Sequence, residues 1–206
     1  HYEELLSINR FDQNISKLDI QKKMSAYYQE TGNIQKAFQT YFDILKQYPD
    51  DPQCLYQVAF VFLGQEMFDM SLKYFERLIA GDKVTFEILF GAGMAALQLQ
   101  KSVDAVKYFK DALAKDPHSD IGNLAMAFAL QKKRDFKAAA NYLKVIIDGT
   151  KDSDASFIAR RLLGVILVQA RQAVNAVTVF EQLLEFARAN GMEDEVPGIL
   201  YDLGFA

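Results

Sequence analysis

Leu89–Pro117 reads LFGAGMAALQLQKSVDAVKYFKDALAKDP. Its first half places Leu89, Ala92, Gly93 and Ala96 at i, i+3, i+4 and i+7. Its second half places Ala105, Phe109 and Ala112 at i, i+4 and i+7. These spacings gather each set on one helical face, with small residues where two helix backbones would approach closely. The polar link Gln100–Asp104 is too short for anything but an antiparallel hairpin. Such a hairpin cannot bury its apolar faces alone, so the pattern predicts that it stacks on copies of itself.

The copies are present in register. Ala37, Ser71, Ala105 and Ala139 recur every thirty-four residues, and twelve positions before them stand Ser25, Ala59, Gly93 and Ala127. Ala176, with Gly164 twelve before it, continues the series after a three-residue insertion. The bulky positions keep the same phase: Tyr41, Phe75, Phe109, Leu143 and Phe180, then Ile44, Leu78, Ala112, Ile146 and Leu183. A helix–turn–helix repeat of this period resembles the tetratricopeptide repeat family. The resemblance runs roughly from Leu18 to Arg188, with Gly32 in the first turn and Pro49 and Pro117 closing two copies. The chain departs from the family in lacking Trp: Gln21, Leu55, Leu89, Asn123 and Arg160 fill the bulky first-helix position, and Lys83 and Lys151 replace closing prolines.

The resemblance implies an all-α fold, an α-α superhelix built as a right-handed solenoid of antiparallel helix hairpins. Copies are expected at 18–51, 52–85, 86–119, 120–153 and 157–190, as one elongated domain. Residues 1–17 would form a capping helix or partial repeat, and 191–206 a loop and the first helix of a further repeat or cap. The start at His1 without Met, and the repeat-like Pro197–Ala206, read as an excerpt of a longer array, with a terminal capping helix as the alternative. Asn33 and Asp135 are expected N-caps of second helices. The polar stretches Asp148–Asp154 and Ala187–Pro197 read as loops where the period slips.

Composition narrows the function. A chain of 206 residues with 50% hydrophobic content can bury a sizeable core. A net charge of −4 and a pI near 5.3 argue against a nucleic-acid surface, which needs positive charge for phosphates. No run of eighteen apolar residues suggests a transmembrane segment. The compartment stays open: cytoplasmic by default, with a periplasmic or tethered location if a removed leader preceded His1. Cys54 has no partner for an internal disulfide, and reads as either a half-buried thiol or a reactive one.

No residue constellation supports catalysis, and no cofactor or metal is expected. His1 and His118 lack ligand spacing with each other or with Cys54, and no nucleophile–base pattern appears. Gly91–Ala96 superficially matches a dinucleotide fingerprint, but Asp111 falls inside a helical pattern rather than at a strand end. Lys132, Lys133 and Arg134 form a basic turn, and Glu193, Asp194 and Glu195 an acidic run, both read as solvated.

The resemblance also implies that first helices line a concave face. Its stripe would comprise Gln53, Tyr56, Phe60 and Leu63, then Glu87, Phe90, Met94 and Leu97. Ile121, Leu124, Phe128 and Gln131, then Ile158, Arg161, Val165 and Val168, continue it. The first copy differs, with Asp19, Lys22, Ala26 and Gln29. The small-and-bulky register already fills the layer between helices, so an apolar stripe of this kind wants a partner. The outward positions of second helices, such as Lys36, Gln39, Lys73 and Lys107, carry mixed charge. The carboxylate clamp of some relatives is matched only at Lys22, with Ala26, Gln57, Glu87 and Gly91 in place of its other groups.

A non-enzymatic protein–protein interaction scaffold is therefore expected, binding a protein or peptide, with an amphipathic helix favoured. The candidate groove is Tyr56, Phe60, Leu63, Phe90, Met94, Leu97, Leu124, Phe128, Gln131, Arg161, Val165 and Val168. Phe60, Phe90 and Phe128 would anchor the ligand, and Arg161 would set its polarity. Self-association into a structural assembly is the alternative.

Overall fold

Ser16 opens the first helix through a reciprocal cap: its hydroxyl accepts from the Asp19 N–H at 3.1 Å, and Asp19 accepts from the Ser16 N–H. The computed structural model describes residues 16–149 and 153–206; most of the helix expected within His1–Lys17 lies outside them. The chain divides into two compact units, His1–Leu99 and Gln100–Ala206. The first contains α1 (Lys17–Glu30), α2 (Ile34–Gln47), α3 (Pro52–Gly64), α4 (Phe68–Ile79) and α5 (Phe86–Gln98). The second contains α6 (Ser102–Lys115), α7 (Asp120–Lys132), α8 (Phe136–Gly149), α9 (Asp154–Gln169) and α10 (Ala173–Ala189). A 3-10 turn (Glu193–Glu195) and α11 (Val196–Gly204) follow. No strand occurs among the described residues, and the fold is all-α.

Five hairpin turns share one backbone device. Gly32, Glu66, Gln100, Arg134 and Arg171 all take positive φ, between 59° and 75°. This left-handed residue ends each first helix. The following N–H reaches back to the helix, as from Asn33 to the Tyr28 carbonyl at 2.7 Å and from Asp135 to Leu130 at 2.9 Å. Because Gln100 does this, α6 begins at Ser102, two residues inside the link read from the sequence. Asn33 and Asp135 cap as expected, accepting from the N–H groups of Lys36 and Ala138. Gly91 sits inside continuous α5, and the residues preceding it are helical rather than a strand.

The repeat register is the core. All twenty small and bulky positions of the five copies are buried. In α3 and α4 the crossing is bonded as well as packed: the Ser71 hydroxyl donates to the Ala59 carbonyl at 2.9 Å. A hydroxyl is accommodated there because the carbonyl satisfies it. Within each unit consecutive helices pack together, and first helices of adjoining copies also meet, α3 with α5 and α7 with α9.

Candidate ligand surface

In the first unit the expected stripe lies on α3 and α5. Tyr56, Phe60, Leu63, Phe90, Met94 and Leu97 are all half-buried, beside fully buried Cys54, Val58, Ala59, Ala92, Ala95 and Ala96. Tyr56 and Phe60 have ring centroids 4.6 Å apart, and Phe60 stands edge-on to Phe75 at 5.0 Å. Phe60 therefore serves the core and the surface together. Phe90 stacks with Phe86 at 5.6 Å. Burial, with a contribution from Glu87 on α5, pushes the Tyr56 phenol up from its ordinary value. The result is an aromatic end, Tyr56–Phe60–Phe90, and an aliphatic end, Leu63, Met94 and Leu97.

In the second unit Phe128 is 40% exposed, with the Lys132 ammonium 5.1 Å from its ring centroid. Leu124 is half-buried. The Gln131 amide donates to Gln169 at 3.0 Å, tying α7 to α9. Val165 and Val168 pack against the buried cluster of Phe157, Phe180 and Ile199. Arg161 is already met by this chain: its Nε donates to Asp202 at 2.8 Å and one terminal nitrogen to Glu195 at 3.3 Å. Gly198 leaves room for the guanidinium, since a Cβ there would lie 3.0 Å from it.

Lys22, at the same repeat position as Arg161, is likewise taken. It pairs with Asp51 at 2.5 Å, and Asp51 simultaneously caps α3 by accepting from the Cys54 N–H at 3.0 Å. Burial raises the Asp51 pKa, but the Lys22 and Cys54 hydrogen bonds outweigh it and hold the carboxyl below its ordinary value. Sequence reasoning missed both clasps. Their signal was present: a cation at the fifth position of a copy, with an acid opening the next first helix. Cys54 is fully buried rather than half-buried, and burial, reinforced by Asp51, pushes its thiol up to about 12. Such a thiol is not a nucleophile at neutral pH.

His118 is exposed, and among the described residues no three His, Cys, Asp or Glu side chains form a metal-holding group. No described helix is long and apolar enough to cross a membrane.

Comparison with known proteins adds a partial family match and the fold. Residues 61–120 match the Tetratricopeptide repeat family, while no curated protein sequence matches the chain. Among solved structures, YrrB, described as a TPR protein with an unusual peptide-binding site, has a TM-score of 0.76 at 12% identity. That match covers 90% of this chain and 91% of YrrB. MamA from Desulfovibrio magneticus RS-1 gives 0.75 at 14% identity, covering 85% of this chain and 97% of its own. The C-terminal part of a TPR repeat-containing protein from Cytophaga hutchinsonii gives 0.74 at 18% identity, covering 98% and 81%. The chain is a protein of the tetratricopeptide-repeat fold, with the family's sequence pattern matched across residues 61–120.

Proposed function

We propose that this chain is a non-enzymatic interaction scaffold whose first-helix stripe takes the apolar face of an amphipathic helix. One observation carries the reading: α3 and α5 adjoin, and both present half-exposed large apolar side chains beyond those that complete the core. Apolar area left accessible on a folded surface stabilises a complex when a ligand covers it. Two adjoining helices form a trough suited to a third, read through anchors at i, i+3, i+4 and i+7. Phe90 and Met94 are the central contacts, the ring as a rigid anchor and the thioether as an adaptable one. Leu124 and Phe128 offer a second apolar segment on α7. Arg161, committed to Asp202 and Glu195, borders the surface rather than reading the ligand's charge. The description of YrrB as peptide-binding supports the class of ligand.

The test is fluorescence anisotropy with a labelled synthetic helix carrying Leu at i, i+3, i+4 and i+7. Met94→Glu and Leu97→Glu should each weaken binding about tenfold, near 1.4 kcal/mol, with the thermal melt nearly unchanged. Phe60 is avoided because it supports Phe75. Unchanged affinity in folded Met94→Glu and Leu97→Glu would remove α3–α5 as the site. Light scattering that grows with concentration, without peptide, would favour self-assembly instead.

A further inference from the structure

The groove between second helices α8 and α10 carries a different chemistry from the stripe. It encloses about 650 Å³, with Leu163 and Leu167 of α9 as its floor. One wall presents Lys137, Asn141 and Lys144 of α8, and the other Asn175, Thr178 and Val179 of α10. No acidic side chain lines it. The turns leading into the two walls add Arg134 and Arg171, both exposed. Asp135, next to Arg134, is engaged in capping α8.

The groove's lining is locally positive in a chain that carries −4 overall. Lys22, Lys46, Arg77 and Arg161 are each paired with a carboxylate of the chain. Lys137 and Lys144, like other surface lysines such as Lys73, Lys107 and Lys110, have no such pair among the described residues. They stand seven residues apart on one helix, roughly 10 Å along its axis. Asn141 lies between them and offers both a donor and an acceptor to a main chain. Two separated cations, an amide and an apolar floor together specify a complementary chain.

We infer that the α8–α10 groove binds an acidic segment of a partner protein in a polyproline-II-like extended form, with two carboxylates three residues and roughly 10 Å apart on one side and an apolar residue between them. The carboxylates meet Lys137 and Lys144, the apolar side chain rests on Leu163 and Leu167, and the segment's main chain meets Asn141. Charge complementarity sets the class of occupant and makes its association salt-dependent. The site is independent of the α3–α5 stripe and stands or falls separately from it.

The experiment uses the whole chain and a labelled synthetic peptide, flanked by Pro to favour the polyproline-II form, with Glu at i and i+3 around a single Leu, beside the same peptide with Gln for Glu. The Glu peptide should bind and the Gln peptide should bind at least about tenfold more weakly, with affinity falling as salt rises. Lys137→Glu with Lys144→Glu should abolish binding, Lys137→Gln with Lys144→Gln should weaken it, and Met94→Glu should leave it unchanged. Circular dichroism checks that these surface variants fold. Equal binding of the two peptides, or undiminished binding to the folded double-Glu variant, overturns the proposal. So does salt-dependent self-association abolished by the same two lysine changes, which would make a second copy of this chain the occupant.

Discussion

Phe75 in the first unit and Phe180 in the second occupy the same place in their copies, yet the glycines that leave room for them lie in opposite directions along the chain. A Cβ on Gly91, in the first helix of the following copy, would stand 2.3 Å from the Phe75 ring. A Cβ on Gly164, in the first helix of the same copy, would stand 2.5 Å from the Phe180 ring. Where Phe180 finds Gly164, Phe75 has Ala59, and the glycine lies one copy further on. The register therefore fixes where the ring is buried but not which helix gives way to it. One glycine tightens a junction between copies, and the other tightens a hairpin.

Substitution at the two glycines breaks the comparison most directly. Gly91→Val and Gly164→Val should each destabilise by up to about 3 kcal/mol, because the neighbouring rings are fully buried and cannot retreat. Hydrogen exchange should separate them: Gly91→Val loosens α4 against α5, and Gly164→Val loosens α9 against α10. The same loss of protection in both variants would show that the contacts are not directional.

A second pair of equivalents sharpens the contrast. Lys22 and Arg161 share a repeat position, but only the Lys22 partner is both a cap and a nearly buried carboxylate. Asp51→Asn keeps the cap, since Asn caps about as well as Asp, and should cost about 1.5 kcal/mol through loss of the charged hydrogen bond. The folded-state pKa of Asp51 is depressed from 3.8. Its contribution is therefore fully present above that ordinary value and is lost as pH falls through the folded value. The stability gap between the native chain and Asp51→Asn should close below about pH 4. A gap that persists in acid would mean the Lys22 contact contributes little.

The smallest effects belong to the turns. Gly32→Ala should destabilise by about 1 kcal/mol, and Arg171→Gly should stabilise by roughly 0.5, since each left-handed non-glycine residue carries backbone strain that Gly relieves at an entropic cost. Denaturant midpoints moving in opposite directions would confirm that these turns share one geometry; movement in the same direction would refute it.

The hairpins and their register were legible in the sequence because burial at a crossing admits few residue types: Ser25, Ala59, Gly93, Ala127 and Gly164 are all small. The shared turn was not. Glu66, Gln100, Arg134 and Arg171 give no composition signal for positive φ, and only Gly32 did. For the surface, periodicity named the residues of the stripe but not their second contacts. Phe60 leans on Phe75, Gln131 bonds Gln169, and Arg161 meets Asp202 forty-one residues away. The last two depend on which copies adjoin, and all three on side-chain reach, which the repeat pattern does not encode.

The most direct measurement of the ligand surface is methyl NMR of the whole chain titrated with the Leu-patterned synthetic helix. The proposed function predicts saturable shifts at the Met94, Leu63 and Leu97 methyl groups, with the Leu72 methyls of the buried core nearly still. Saturable shifts confined to other methyl groups, such as those of Leu163 and Leu167, or no saturable shift at all, would contradict it.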